Sequence, residues 1–177
     1  MFSCAIQGFL IMIDVQEETP MKSLSEQLFT YKQQHTNKMN LLLHYIGIPT
    51  IIFSLLMLLN WISIDIATHW QISFSWILLL ATLVYYFLLN LRLAIVATIV
   101  MIPFTFIAIL IARPSPTLFS GTLFFILFIG GWALQFVGHY FEKQKPAFMI
   151  NASQLLIGPL FVLMEALEAL GLAKYVM

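Results

Sequence analysis

The chain has 177 residues, of which 61% are hydrophobic and only 9% are charged, and its formal net charge is zero. Soluble domains carry about a quarter charged residues, so this composition indicates an integral membrane protein with no basic field for nucleic acid. The single cysteine, Cys4, excludes an intramolecular disulfide and a cysteine-based zinc site.

Residues 1–20 differ in character from the rest of the chain. Their apolar stretch, residues 2–13, is too short to span a bilayer. It lacks the leading basic cluster and the small-residue cleavage site of a signal peptide. We therefore expect a dispensable, disordered tail, or an extension ahead of a true start at Met21.

The segment after Met21 has the pattern of a short amphipathic helix. Ser23 and Glu26 fit a capping box, and Leu24, Leu28 and Tyr31 repeat at helical spacing. We expect this helix to lie at the membrane surface; a plain soluble lead-in helix is the alternative.

Four long apolar runs follow, at residues 41–61, 72–89, 93–112 and 118–140. Each approaches the roughly 20 residues that a membrane-spanning helix needs, and backbone in lipid must satisfy its own hydrogen bonds. A fifth stretch, 148–172, is interrupted by Gly158-Pro159, which predicts a bend or a split. The predicted fold is an all-α polytopic helix bundle: an interfacial helix, four spans and a broken C-terminal helical segment.

The basic residues predict the orientation of this bundle. With a cytoplasmic N-terminus and four spans, only Arg113 clearly falls outside, and the residues on the inside are Lys22, Lys32, Lys38, Arg92, Lys143 and Lys145. This distribution follows the positive-inside rule. The short loops, and the lack of a retrieval tail, favour a bacterial inner membrane over an endoplasmic reticulum membrane.

Three histidines are the main functional signal. His35 and His44 flank the start of the first run and His139 ends the fourth, so the predicted topology puts all three at the cytoplasmic face. His69 falls on the other face and is interpreted as a loop residue. Ionisable side chains in membrane segments usually bind or react, and imidazole suits iron, zinc, copper or nickel. We hypothesise that the three histidines share one metal ion.

His35 can join that site only if the helix breaks before His44. Nine residues of continuous helix would separate the two by about 13.5 Å and turn them to opposite sides. Thr36 and Asn37 are good N-cap residues, so a break is expected there.

Two polar stripes accompany the histidines. One combines Gly131, Gln135, His139 and Glu142, and the other Asn37, Asn40, His44 and Gly47, each within about 80° of a helix circumference. They favour a lined pocket; a tight helix–helix seam is the alternative. Glu165 lies among apolar residues and needs a partner: a histidine, a metal or Lys174, unless it reaches the interface.

These segments resemble the 2-hydroxy fatty acid dioxygenase family, whose yeast founder acts in phytosphingosine breakdown. The matching motifs run from Tyr31 through His35 and His44 to Pro49, and from Trp132 through His139 to Ala147, and the resemblance covers about residues 22–172. It implies that residues 21–177 form one catalytic domain that oxidises a 2-hydroxy fatty acid with O2 to the acid one carbon shorter.

The resemblance also implies a ligand set. Fe(II) would be held by His35, His44 and His139. Some members carry a further histidine shortly after the last of these, which this chain lacks, so Glu142 is a candidate replacement. Substrate contacts or support for the ligands are expected from Asn37, Asn40, Gln135, Glu142, Lys143, Asn151 and Glu165. A membrane zinc hydrolase with the same ligands, or a non-enzymatic lipid-binding or transport protein, remain the alternatives.

Overall fold

A computed structural model describes residues 23–67, 70–143, 146 and 154–176. The expectations for residues 1–20, His69, Lys145 and Asn151 lie outside these residues. The elements in chain order are α1 (Leu24–Gln33), α2 (Lys38–Asn60), β1 (Ser63–Ala67), β2 (Trp70–Ser73), α3 (Phe74–Leu89), α4 (Leu91–Ala112), α5 (Leu118–Glu142), α6 (Gln154–Ala169) and a short 3-10 turn, Ala173–Tyr175.

Helix α1 begins with the predicted capping box. Ser23 Oγ accepts from the main-chain N–H of Glu26, whose carboxylate accepts from the N–H of Ser23 at 2.9 Å. The stripe of Leu24, Leu28 and Tyr31 is buried in one apolar cluster with residues of α6. This face therefore packs on protein, and the position of α1 at the membrane surface stays a prediction.

Three helices, α2, α4 and α5, are long and apolar enough to cross a membrane. Helix α3 is apolar but has 16 residues, about 24 Å of helix, so the fourth predicted span is not confirmed. Large side chains on the outside of the bundle, such as Leu80, Ile99 and Leu118, are 65%, 67% and 90% exposed, as expected for lipid-facing positions.

A β-hairpin between α2 and α3 departs from the all-α prediction. Its two strands pair antiparallel, with Ser63 opposite Ser73 and Ile64 opposite Ile72. The alternation of polar and apolar residues over 63–66 is the pattern of a half-exposed strand, and the analysis of long apolar runs missed it.

Helix α6 is continuous through Gly158-Pro159, so the predicted split is wrong. Pro159 lies in the second turn and removes one intrahelical hydrogen bond, while Ile157, Leu160 and Phe161 are buried around it. Their packing holds the helix together.

Helices α2 and α5 form the closest pair in the bundle, and glycines set their separation. A Cβ on Gly47 would lie 2.6 Å from Gln135 Nε2, and one on Gly131 would lie 2.7 Å from Ile51. The two polar stripes thus form the tight helix–helix seam that was the alternative interpretation of the sequence. They also line a pocket, as the favoured interpretation predicted. This seam brings the start of α2 against the end of α5.

Candidate metal centre

The structure brings together the three histidines predicted to share one face. His35 lies in the turn between α1 and α2, His44 in α2 and His139 near the end of α5. Their ring centroids are 4.5, 4.9 and 5.3 Å apart. One potential ligand atom from each ring lies within 4.8 Å of the other two, and all three residues are buried. Among the described residues, this is the one such group of three or more.

Main-chain carbonyl oxygens fix the tautomers of two of these rings. His35 Nδ1 lies 2.7 Å from Tyr31 O, and His44 Nδ1 lies 2.9 Å from Asn40 O. A carbonyl oxygen only accepts, so each Nδ1 carries the proton and donates it. Burial lowers the pKa of His35, which favours its neutral ring. In a neutral ring with a protonated Nδ1, Nε2 presents a lone pair.

The two Nε2 atoms of His35 and His44 are 3.2 Å apart. Two lone pairs at this distance repel each other, and a cation that both nitrogens coordinate removes the repulsion. The spacing also fits two ligands about 2.1 Å from one ion at an angle of roughly 100°. An Nδ1–H that donates to a carbonyl is the usual second contact of a metal-binding imidazole.

His139 is oriented differently. Its Nδ1 is buried without a hydrogen-bond partner in the described part of the chain. A buried polar atom of this kind usually has a partner, and an ion between the rings would provide one. The donor set of three imidazoles therefore fits a first-row transition metal.

The turn that carries His35 is shaped by local contacts. Asn37 caps α2 by accepting from the N–H of Met39 at 2.8 Å, which confirms the predicted helix break. The ring of Tyr31 stacks on that of His35, with centroids 4.2 Å apart and planes 4° apart. The stacking and the Nδ1 hydrogen bond together set the direction of the His35 ring.

Glu142 fastens the same turn to the end of α5. Its Oε1 accepts from the N–H and the hydroxyl of Thr36 at 3.0 and 2.6 Å. Its Oε2 accepts from the N–H of Asn37 and the amide of Asn40, both at 2.9 Å. With both oxygens committed, Glu142 lies outside the histidine cluster, and its candidacy as a replacement ligand gains no support. Its contacts instead fix His35 relative to His139.

The other predicted site residues are distributed differently. Asn40 is buried beside His44, and Lys143 is exposed at the end of α5. Glu165 bonds Lys32 at 2.9 Å and accepts from Tyr45 Oη at 3.1 Å. Its partner is therefore a lysine that the sequence interpretation did not consider, rather than Lys174, a histidine or a metal.

A cavity of about 250 Å³ opens from the histidines into the bundle. Tyr31, Gln135 and Gln154 line its histidine end, and mostly apolar residues of α2 to α6, together with Thr82 and Tyr86 of α3, line the remainder. Gln135 Nε2 and Gln154 Oε1 are buried with no hydrogen-bond partner among the described residues. Sequence reasoning did not assign Tyr31 to the site, although it lies one helical turn before His35.

These features define a class: a helical protein with three candidate membrane-spanning helices among the described residues and three buried, inward-facing imidazoles at the head of a mostly apolar cavity. Residues 21–170 match the family model described as 2-hydroxy-palmitic acid dioxygenase Mpo1-like. The chain is also 36% identical over 150 residues to the 2-hydroxy-palmitic acid dioxygenase MPO1 of Saccharomyces cerevisiae. That alignment covers 84% of this chain and 82% of the yeast protein.

The chain therefore belongs to the Mpo1-like family, which confirms the resemblance read from its two motifs. No solved structure matches it significantly.

Proposed function

We propose that this protein is an Fe(II)-dependent dioxygenase that converts a 2-hydroxy fatty acid and O2 to the fatty acid one carbon shorter. One observation carries the proposal. The Nε2 atoms of His35 and His44, each with a lone pair, lie 3.2 Å apart beside His139. Family membership supplies the substrate class, because the yeast relative is named for 2-hydroxy-palmitic acid. The atoms balance with CO2 and water as the other products.

The residues of the chain have separate tasks in this reaction. His35, His44 and His139 would hold the iron, which when bound would supply the redox centre for O2. Gln135 Nε2 is a donor without a partner in the described chain, and we assign it to the carboxylate or hydroxyl of the substrate. Asn37 and Asn40 act through Glu142, which keeps the turn of His35 in place.

Charged groups near this end complete the assignment. Lys143 is exposed one residue after Glu142, where an ammonium group attracts the substrate carboxylate. Asn151 is proposed only from its match to the family pattern. Glu165 has a structural role, because its bonds to Lys32 and Tyr45 tie α1, α2 and α6 together.

Four passes through the membrane are part of the proposal. Asn60 donates to the carbonyl of Arg113 at 2.8 Å, so α2 and α4 end at the same face. Tyr85 donates to Gln27 at 3.2 Å, so the end of α3 lies beside α1. Helix α3 therefore returns the chain to the histidine side. The basic residues favour a cytoplasmic N-terminus and site. The bacterial inner membrane remains a prediction from the short loops.

Turnover under controlled metal loading tests the function. Protein purified without added metal is incubated anaerobically with Fe(II), then given 2-hydroxypalmitate and air. We expect pentadecanoic acid and stoichiometric O2 uptake, with palmitate as the inactive control. Absence of both in iron-loaded protein contradicts the proposal. Zinc-loaded protein should form no pentadecanoic acid, because that product requires O2 as the oxidant.

A further inference from the structure

The cavity that begins at the histidines runs deep into the bundle along α2. The α2 side chains that line it are His44, Ile48, Ile51, Ile52, Leu55 and Leu56. From His44 to Leu56 the helix rises about 18 Å. Every α2 residue in this wall beyond His44 is a branched aliphatic side chain, so the cavity changes from a polar head to a hydrocarbon-like interior.

Helix α3 lines the same cavity in the opposite direction. Tyr86, near the end of α3, donates to the carbonyl of Leu156 in α6 at 2.7 Å, near the histidine end. Leu78 and Leu79, near the start of α3, line the far end. Since α2 and α3 run antiparallel, Leu56 and Leu79 both lie toward the far end, with Leu79 about one helical turn nearer to the histidines because Ser75 bonds the carbonyl of Leu56. Both are buried, at 2% and 4% exposure.

At the far end of the cavity, a buried hydrogen bond joins the two helices. Ser75 is fully buried and donates to the carbonyl of Leu56 at 2.7 Å. This bond holds the start of α3 against α2 directly behind Leu56. Leu56, beside this hydrogen bond, is the last residue of α2 that lines the cavity.

We propose that this cavity is a tunnel for the acyl tail of the substrate, and that Leu56 and Leu79 form the floor that limits its chain length. This inference rests on the proposed function and extends it. An extended alkyl chain advances about 1.25 Å per carbon–carbon bond of about 1.5 Å. The rise of about 18 Å from His44 to Leu56 therefore corresponds to roughly fourteen bonds, which sets an upper limit near 16 carbons for a 2-hydroxy acid whose head lies at the histidines.

The polar groups at the head favour a free 2-hydroxy acid over the tail of a membrane phospholipid. Gln135 Nε2 and Gln154 Oε1 are buried without partners among the described residues, and both line the histidine end. A carboxylate and an adjacent hydroxyl provide an acceptor and a donor for them in a small volume.

The floor is tested by the dependence of kcat/KM on chain length, measured for saturated 2-hydroxy acids of 10 to 20 carbons. We expect a fall of at least tenfold above 16 carbons. Leu79→Phe should lower that limit by two to four carbons, and Leu79→Ala should raise it. Leu80→Phe is the matched control, because Leu80 is 65% exposed on the same helix. If the wild-type protein and the three variants show the same dependence of kcat/KM on chain length, Leu56 and Leu79 do not form the floor.

A binding measurement without iron separates this inference from the reaction. Trp132 lines the cavity seven residues before His139, about 10.5 Å along α5. 2-Hydroxypalmitate brominated at carbons 9 and 10 should quench the fluorescence of Trp132. This quenching should be absent in Trp132→Phe. The affinity for the brominated acid should fall at least fivefold in Leu79→Phe but remain in Leu80→Phe.

Each outcome of the two experiments has a distinct meaning. Quenching of Trp132 without turnover supports the tunnel and contradicts the proposed reaction. Turnover without such quenching, and with a chain-length limit that the Leu79 variants leave unchanged, supports the reaction and contradicts the tunnel. Equal quenching by a dibrominated phosphatidylcholine assigns the cavity to lipid tails and overturns the inference.

Discussion

His35 and His44 point their Nε2 atoms at each other across 3.2 Å, while the Nδ1 of each ring faces a main-chain carbonyl oxygen. For the Nε2 of a neutral ring to donate a hydrogen bond, that ring would have to place an unprotonated Nδ1 against a carbonyl oxygen. Main-chain carbonyl groups of α1 and α2 therefore orient the two Nε2 lone pairs for binding a cation, and this orientation does not depend on the cation.

This relationship predicts that metal stabilises the fold. Fe(II) or Zn(II) at 100 times its Kd should add about 2.7 kcal/mol to the free energy of unfolding, and a chelator should remove it. A thermal shift assay in detergent measures the effect. His44→Ala and His139→Ala should lose both the shift and turnover, and a normal shift in either variant would count against the site.

Glu142→Gln should weaken metal binding without touching a ligand. The amide loses the charge that strengthens the bonds to Thr36 and Asn37, and it cannot accept at both of its ends. We expect a loss of about 1–3 kcal/mol in stability and a roughly tenfold weaker metal affinity, by calorimetry.

Glu168→Gln is the control for that measurement. Glu168 bonds exposed Lys32 at 3.3 Å, and exposed pairs contribute about 0–1 kcal/mol. If Glu168→Gln weakened metal binding as much as Glu142→Gln, the link between Glu142 and the turn of His35 would have no special role.

Gly138→Ala should disrupt the centre by crowding. A Cβ at this position would lie 2.5 Å from Asn40 Oδ1 and 3.1 Å from His44 Nδ1, so the carbonyl contact that orients His44 must shift. We expect about 1–3 kcal/mol of destabilisation together with a lower metal content per chain.

Gly130→Ala, on the same helix, is the matched variant. A Cβ at residue 130 has no atom within 4 Å, and alanine is the better helix former by about 1 kcal/mol. Gly130→Ala should therefore retain metal and be neutral or more stable. Equal losses in the two variants would argue against crowding at His44.

Glu165→Gln should retain the metal. Its carboxylate bonds Lys32, which is 57% exposed, and Tyr45, and Glu165 itself is 18% exposed, so the substitution should lower stability by about 1–2 kcal/mol without reaching the histidines. Metal analysis of the purified variant measures this. Loss of the ion would restore the interpretation of Glu165 as part of the centre.

The sequence predicted what depends on local chemistry and on helix ends. The break before Asn37 follows from its capping side chain, and the common face of the histidines follows from the polarity of successive helices. The resemblance to known dioxygenases rested on the same residues.

Long-range partners were not predictable in this way. The bonds of Glu142 to Thr36 and of Lys32 to Glu165 join residues more than 100 positions apart, and nothing in either local sequence encodes the pairing. The split at Pro159 was predicted from backbone chemistry alone, whereas packing of its apolar neighbours decided the outcome. The hairpin was hidden because only two short strands carry its pattern.

Iron K-edge X-ray absorption on Fe(II)-loaded protein tests the central claim most directly, because imidazole rings give a characteristic multiple-scattering pattern. We expect three imidazoles on one iron in the wild-type protein, and no imidazole scattering from iron in His44→Ala or His139→Ala, because neither variant should retain the metal. A spectrum with at most one imidazole, or one that His44→Ala and His139→Ala leave unchanged, would contradict it.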